Sequence, residues 1–419
     1  MAENQVIDIH CHPCLKTWLF PAHHVYDEGP YPTGLKFSEN CFVSIPQMNQ
    51  GNVGIAVSVY YIPEQELNTE QMKNFIFREL LSLLDLLCSR LDVILEDKST
   101  PNGPFVQMLS YIQLFEDEIT YASGAPLGKN VAIARSYADL QDKINNGVTV
   151  FLHSIEGAHA LGTGDITEAQ LEANLEVLAA KGLCQITLGH FFQNILVSSS
   201  GGIPPGLAND LSYSPDNYNT YPDGYNGDLA KNIVAKMLDL GIIIDLVHCH
   251  AGAKAMVYEV NNARAVKRPL TFAHTGVREI ALKHNPGMPD EFANYLPDED
   301  DIRAIKDCGG VLGLIFMDYW LTGDDVTTPA IQAILECIIF IRDVADSAGN
   351  SGTYDHIAIG SDLDGFTTIP SDLAGEYRMP DLVNAIAGID GLTADDLDKI
   401  CWANYMRVLK NGWGPVGAN

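Results

Sequence analysis

Val6-Ile7-Asp8-Ile9-His10-Cys11-His12-Pro13 brings a short β-branched run to an end in two histidines, two residues apart, with a proline behind them. Side chains along an extended strand alternate, so His10 and His12 point to the same side and can grip one ion together. The turn that follows has no glycine-rich phosphate fingerprint, which argues against an open doubly wound nucleotide-binding sheet.

Working outward, similar apolar runs recur at 54–62, 149–156, 184–190, 242–248, 270–274, 311–316 and 356–362. Each is apolar nearly throughout, as parallel strands buried on both faces require. Segments of helical period lie between them, among them 71–91, 168–181, 229–240 and 301–307. Eight strands alternating with helices predict a (β/α)8 TIM barrel, a single domain over residues 1–419. Long insertions are expected after strands 1 and 4, at 14–50 and 195–228. The second is rich in Gly, Pro, Asn and Tyr, and loops in that position build substrate pockets or lids.

What closes each predicted strand is more telling than the strands themselves. The terminal residues are His10 with His12, then Glu156, His190, His248, His274 and Asp362. A barrel gathers all strand C-terminal ends on one face, so these residues converge there. His10, His12, Glu156, His248 and His274 are the expected metal ligands, with Glu156 bridging two ions. His23, His24, His153, His159, His250 and His356 are expected in ordinary structural or surface roles. Imidazole and carboxylate suit zinc, and also manganese, cobalt or iron; two divalent ions are expected, with zinc the leading candidate. Such a pair acidifies a bridging water and polarises a carbonyl. Asp362, in Gly360-Ser361-Asp362-Leu363-Asp364-Gly365, is placed to take the water's proton and pass it to a leaving amine. Asp364 reads as a turn residue, and His190 as a hydrogen-bond donor to the substrate carbonyl or oxyanion.

Acidic residues outnumber basic ones by 54 to 25, a formal charge of −29, which repels nucleic acid and anionic membranes. No apolar run is long enough to span a bilayer. Met1–Gln5 carries no basic or apolar leader pattern; a cytoplasmic location is expected, with a trimmed exported form as the alternative. Nine scattered cysteines, an odd number, fit buried thiols better than a disulfide framework.

At this point the motifs resemble the membrane (renal) dipeptidase family of zinc metallopeptidases, in the amidohydrolase superfamily. The matching pieces run nearly the length of the chain. They are Asp8-Ile9-His10-Cys11-His12, Ser154-Ile155-Glu156-Gly157, Ile186-Thr187-Leu188-Gly189-His190 with Asn194, and Ile244-Asp245-Leu246-Val247-His248. Further on come Ala273-His274-Thr275 with Arg278, Gly309-Gly310-Val311, the Asp362 motif and Ala403-Asn404-Tyr405-Met406-Arg407-Val408. The resemblance implies a dipeptide-cleaving enzyme with a metal-bridging hydroxide, in which Glu156 bridges, His190 meets the substrate carbonyl and Asp362 handles the proton. A homodimer with a small-molecule substrate, a dipeptide, is the expected assembly and partner.

Three departures from the family pattern stand out. The first motif is His-x-His rather than His-x-Asp, one charge more positive. The family's carboxylate-clamping arginine, about eleven residues past the later metal histidine, is replaced by Leu282-Lys283-His284-Asn285-Pro286. The family's seventh-strand tyrosine is displaced to the region of Tyr319. Arg278, Lys283, His284 and Tyr319 are therefore the candidate substrate-binding residues, none offering the same fork at the same place. Two other readings stand beside it: a hydrolase of a different amide, lactam or lactone, favoured by the departures, and an inactive barrel kept for binding, against which no ligand position is lost to a side chain that cannot bind metal.

Overall fold

The structure, a computed structural model, describes residues 5–19, 23–27, 42–67, 100–203, 208, 213–323, 328–345, 353–365 and 369–417. β1 (Val6–Cys11) is buried at every position. It pairs in parallel with β2 (Val53–Tyr61) on one edge and β9 (Ile357–Ile359) on the other. From β2 the sheet continues through β4 (Thr149–Glu156), β5 (Leu183–Thr187), β6 (Ile243–Asp245), β7 (Leu270–Thr275) and β8 (Val311–Leu314) back to β9. Among the described residues, eight parallel strands close on themselves as a (β/α)8 barrel and leave no sheet edge. A ninth strand, β3 (Val131–Ile133), pairs only with the first residues of β4, whose upper half pairs with β5 from His153 onward.

The two faces of the strands sort into separate cores. Ile7, Ile9, Ile55, Val57, Val150 and Leu152 cluster with Tyr405, Leu409 and Trp413 of the C-terminal segment. Ala56, Tyr60, Phe151 and Ile155, at the alternate positions, join the larger core that includes the surrounding helices. Burial on both faces is why these strands read as unbroken apolar runs.

The expected helices at 168–181, 229–240 and 301–307 are present as Glu168–Lys181, Gly227–Leu240 and Glu299–Asp307. Thr167 caps the first by accepting from the Gln170 amide, and Gly182, at φ 90°, ends it. The expected helix at 71–91 lies outside the described residues. A 21-residue helix, Gly103–Ser123, stands between β2 and β3 where the sequence reading placed none. Its buried Phe105, Met108, Tyr111, Ile112, Phe115 and Ile119 do follow the three-to-four spacing of a helix face. Of the two insertions, the first holds the short helices Pro13–Leu19 and Ile45–Gln50. The second is tied down by bridges from Val197 to Tyr225 and from Ser199 to Cys249. No described helix is long and apolar enough to cross a membrane.

The strand ends differ from expectation in one respect that shapes the site. The runs at 184–190, 242–248 and 356–362 stop as strands at Thr187, Asp245 and Ile359. His190, His248 and Asp362 therefore stand three residues beyond their strands, on the loops. His248 and Asp362 have φ of 65° and 57°, the left-handed region, which cannot continue a strand. The loops also touch closely: a Cβ on Gly189 would lie 2.7 Å from the His248 carbonyl oxygen.

Candidate metal centre and active site

β4 ends on Glu156, and that carboxylate is the hub of the barrel's upper face. Its Oε1 lies 3.5 Å from His10 Nε2, 3.5 Å from His248 Nε2 and 3.4 Å from His274 Nε2. Its Oε2 lies 3.6 Å from His12 Nε2 and 3.7 Å from His190 Nε2. Asp362 Oδ1 completes the ring, 3.1 Å from His12 Nε2 and 3.7 Å from His10 Nε2. All seven side chains are buried.

Two sets of potential ligands hold the expected residues, His10 with His12 and Asp362, and Glu156 with His248 and His274; another, His10 with Asp245 and His274, overlaps both. Within each set the donor atoms lie within 4.8 Å of one another. Donors at about 2.0–2.1 Å from one tetrahedral ion stand about 3.3 Å apart, close to the spacing found around Glu156. His10 Nε2, fully buried, has no hydrogen-bond partner although two carboxylates face it. A cation would supply the missing interaction, so the residues fit a metal centre. The structure groups Asp362 with two expected ligands, a place the sequence reading reserved for proton transfer alone.

The surrounding atoms prepare these donors. His248 Nδ1 donates to the Gly201 carbonyl at 2.6 Å, which leaves Nε2 free to ligate. Tyr295 packs edge-on against the His248 ring at 5.0 Å and donates its hydroxyl to the His274 carbonyl at 3.3 Å. Burial drives His274 well below the ordinary histidine range, reinforced by the neighbouring His10 ring, so it stays neutral as a ligand must. Burial works the other way on Glu156, but the imidazoles of His190 and His10 outweigh it and hold the carboxyl well below its usual range.

Three buried acids that the sequence reading did not single out support the site. Asp245 Oδ1 accepts from the Ala273 amide at 2.8 Å, and its Oδ2 from the Thr187 hydroxyl at 2.6 Å, tying β5, β6 and β7 together. Asp8 accepts from the His10 amide at 3.1 Å and from the Ser361 amide at 3.0 Å, joining β1 to the loop that carries Asp362. Both are acids inside buried apolar runs, a signal legible in the sequence because an unpaired charge there is costly. Glu64 accepts from His190 Nδ1 at 2.7 Å. It lies just beyond β2 behind a proline, where nothing in the sequence marks it. Asp364 accepts from the Val43 amide at 2.9 Å and pairs with Lys16 at 2.6 Å, a structural tie.

The candidate substrate-binding residues are placed differently from the cluster. Lys283 and His284 both turn to Glu336, at 2.8 and 3.0 Å. Arg278 begins the helix Arg278–His284, its guanidinium 3.9 Å from the Asp290 carboxylate. Tyr319 is buried beside Trp320 and Phe292. Asn285, at the family's arginine position, donates its side-chain amide to the Gly323 carbonyl at 2.7 Å. The histidines expected to be structural behave so where hydrogen bonds define them. His153 joins Tyr60 to Glu116, His159 reaches the Ile62 carbonyl, His250 caps the helix Ala251–Asn262 and His356 meets the Gly310 carbonyl.

With this geometry in place, comparison with known proteins is informative. The profile of the membrane dipeptidase family (Peptidase family M19) matches residues 1–412. Dipeptidase tcpJ of Claviceps purpurea (strain 20.1) is 24% identical over 278 residues, 66% of this chain and 54% of that protein. An uncharacterized protein in the pqqA 5' region of Klebsiella pneumoniae is 37% identical over 323 residues, 75% of this chain and 99% of that protein. The match thus spans about half the length of tcpJ, and 36% of dipeptidase aclJ of Aspergillus oryzae. Among solved structures, a metallo peptidase from Rhodobacter sphaeroides, liganded with a phosphinate mimic of the dipeptide L-Ala-D-Ala, superposes with a TM-score of 0.70. The match has 18% identity and covers 98% of this chain and 99% of that one. Dipeptidase AC, a metallo peptidase, superposes with a TM-score of 0.66 at 18% identity, with the same coverage. At such identities the structural likeness speaks to the fold.

Proposed function

From the premise that the chain belongs to the membrane dipeptidase family (Peptidase family M19), we propose that it is a binuclear metal-dependent hydrolase cleaving the amide bond of dipeptides. The observation that carries this reading is Glu156, one carboxylate facing three imidazoles with one oxygen and two with the other, all within 3.7 Å. His10 and His12 would hold one divalent ion and His248 and His274 the other, with Glu156 shared between them. Zinc suits the donor set. When bound, the ions supply Lewis acidity toward the scissile carbonyl and lower the pKa of water.

The chain's own residues do the rest. Asp362, 3.1 Å from His12 Nε2, is the base that would take the proton of the attacking water and return it to the leaving amine nitrogen. His190, 3.7 Å from Glu156 Oε2, borders the same cluster and orients the substrate. The buried walls exclude bulk water, which strengthens each of these interactions.

A second reading, hydrolysis of another amide, lactam or lactone, is favoured by one observation. Asn285 spends its amide on Gly323, while Lys283 and His284 are paired with Glu336. A lost bidentate arginine–carboxylate contact is worth roughly 1.5–3 kcal/mol, or about one to two orders of magnitude in binding. The test is kcat/KM for matched L,L- and L,D-dipeptides, their C-terminal amides, N-acyl amino acids and lactones, using metal-reconstituted protein. Dipeptide turnover with weak discrimination between acid and amide is expected. A strong preference for the free acid would show that another cation has taken over the clamp. Turnover of lactones or N-acyl amino acids alone would replace the dipeptidase reading with the second one.

A further inference from the structure

Glu376 lies buried beside β1, and neither of its carboxylate oxygens has a hydrogen-bond partner. The residue is 0% exposed, so water does not reach it. Its backbone is held on two sides. The amide donates to the Phe42 carbonyl at 2.9 Å, and a Cβ on Gly51 would lie 2.0 Å from the Glu376 carbonyl oxygen. The side chain meets Asp8 and Cys11 of β1, both fully buried, and one donor atom from each of the three lies within 4.8 Å of the others. On a regular strand, residues three apart face opposite sides. The pairing of β1 with β2 shifts register between Asp8 and Cys11, where these two side chains reach one point.

Two carboxylates so placed leave a charge to be met. Asp8 accepts from the His10 amide and from the amide and hydroxyl of Ser361. Glu376 has no such donor, and two ionised carboxylates have no proton to share. Lys16, in the same region, pairs with Asp364 at 2.6 Å. An ionised carboxylate buried without a partner is among the costliest groups a fold can hold. Burial, with the Asp8 carboxylate beside it, pushes Glu376 well above the usual carboxylate range, as befits a negative site that lacks a cation or a proton. Cys11 adds a sulfur donor. Sulfur beside carboxylate oxygen suits a divalent ion of the zinc class, whereas calcium and magnesium take oxygen.

We propose that Asp8, Cys11 and Glu376 form a further metal site, separate from the Glu156 cluster, that takes one divalent ion of the zinc class. The ion takes up the carboxylates' charge. The Cys11 thiol, turned toward the Val57 carbonyl at 3.7 Å, binds through sulfur and releases its proton to water. The bound ion staples β1 to the segment around Glu376, next to the Asp8 hydrogen bonds that hold the His10 and Ser361 amides. Its binding is independent of what the active site cleaves.

The test uses the full chain loaded with zinc or cobalt. Diffraction recorded at the zinc edge should show an anomalous peak between Asp8, Cys11 and Glu376, apart from any at Glu156. Cobalt gives a second readout. None of the seven side chains around Glu156 is a cysteine, so a sulfur-to-cobalt charge-transfer band reports the new site and should be absent from Cys11→Ser. Glu376→Gln should lose one metal equivalent per chain by elemental analysis and keep the ions at Glu156. Should either variant fail to fold, the anomalous map of the wild type decides alone. No peak at this place in the zinc-loaded wild type overturns the proposal and leaves Asp8 and Glu376 to share a proton. A peak that survives Glu376→Gln, or a cobalt band that survives Cys11→Ser, overturns the ligand set.

Discussion

Glu156 and Asp362 are both buried carboxylates in one cluster, yet their surroundings separate their roles. Glu156 faces imidazoles with both oxygens, whereas Asp362 meets His12 and His10 with one. Glu156→Gln should lose metal as well as activity, because a neutral amide is a poor bridge between cations. Asp362→Asn should keep its metal, since His10, His12 and Glu156 remain, and lose roughly 10²–10⁴-fold in kcat with the proton transfer. Metal content by elemental analysis, measured beside kcat, distinguishes the two. Loss of one ion from Asp362→Asn would make that aspartate a ligand, as its grouping with His10 and His12 permits. The backbone tells the same story, because His248 and Asp362 each hold a left-handed φ that costs about 1–3 kcal/mol, a strain that concentrates at functional residues.

Among the elements, the helix Asn404–Gly412 ties into the barrel's ring where β9 is short. Asn404 donates its side-chain amide to the Tyr354 carbonyl at 2.7 Å and to the Ile357 carbonyl at 2.9 Å, at the start of that three-residue strand. Arg407 reaches the Gly309 and Asp355 carbonyls from the next turn. Removing the Asn404 amide takes a side-chain donor from two buried carbonyls, a loss of about 0.5–1.5 kcal/mol for each hydrogen bond. Asn404→Leu should therefore lower the thermal midpoint by several degrees at unchanged metal content. A thermal midpoint equal to that of the wild type would mean that the helix is held by its apolar face alone. The sequence could point to this helix as a motif, but not to the carbonyls it serves, because those belong to a strand and a loop some fifty positions away.

For the whole molecule, charge is the dominant unbalanced quantity. A formal −29 makes the folded surface repel itself, and screening shortens the range of that repulsion from about 10 Å at 0.1 M salt to about 3 Å at 1 M. The metal-loaded protein should melt several degrees higher at 0.5 M salt than at 0.05 M, equally in sodium and potassium chloride. A midpoint that falls with salt would show that ion pairs such as Lys254–Asp301 and Lys16–Asp364 outweigh the net repulsion. A rise in one salt alone would indicate specific ion binding rather than screening.

The barrel was legible because its cause is local and repeated: strands buried on both faces are apolar at most positions, and the helices between them must carry one apolar stripe. The cluster was legible for a related reason, since parallel strands end on one face and His10, Glu156 and His274 lie at those ends. His190, His248 and Asp362 were recognisable as residue types, but the turns that aim them lie beyond the strands and depend on loops pressed against one another. Glu64 left no mark at all, because a carboxylate after a proline becomes His190's partner only when β2 and the loop after β5 are neighbours in space. Lys283 and His284 read as available cations until Glu336, on the helix Ala330–Ala345, bound both. Periodicity and strand-end chemistry act within a few residues and survive in the linear sequence; hydrogen-bond partners, tautomers and committed charges are set by distance in three dimensions, which only the closed barrel decides.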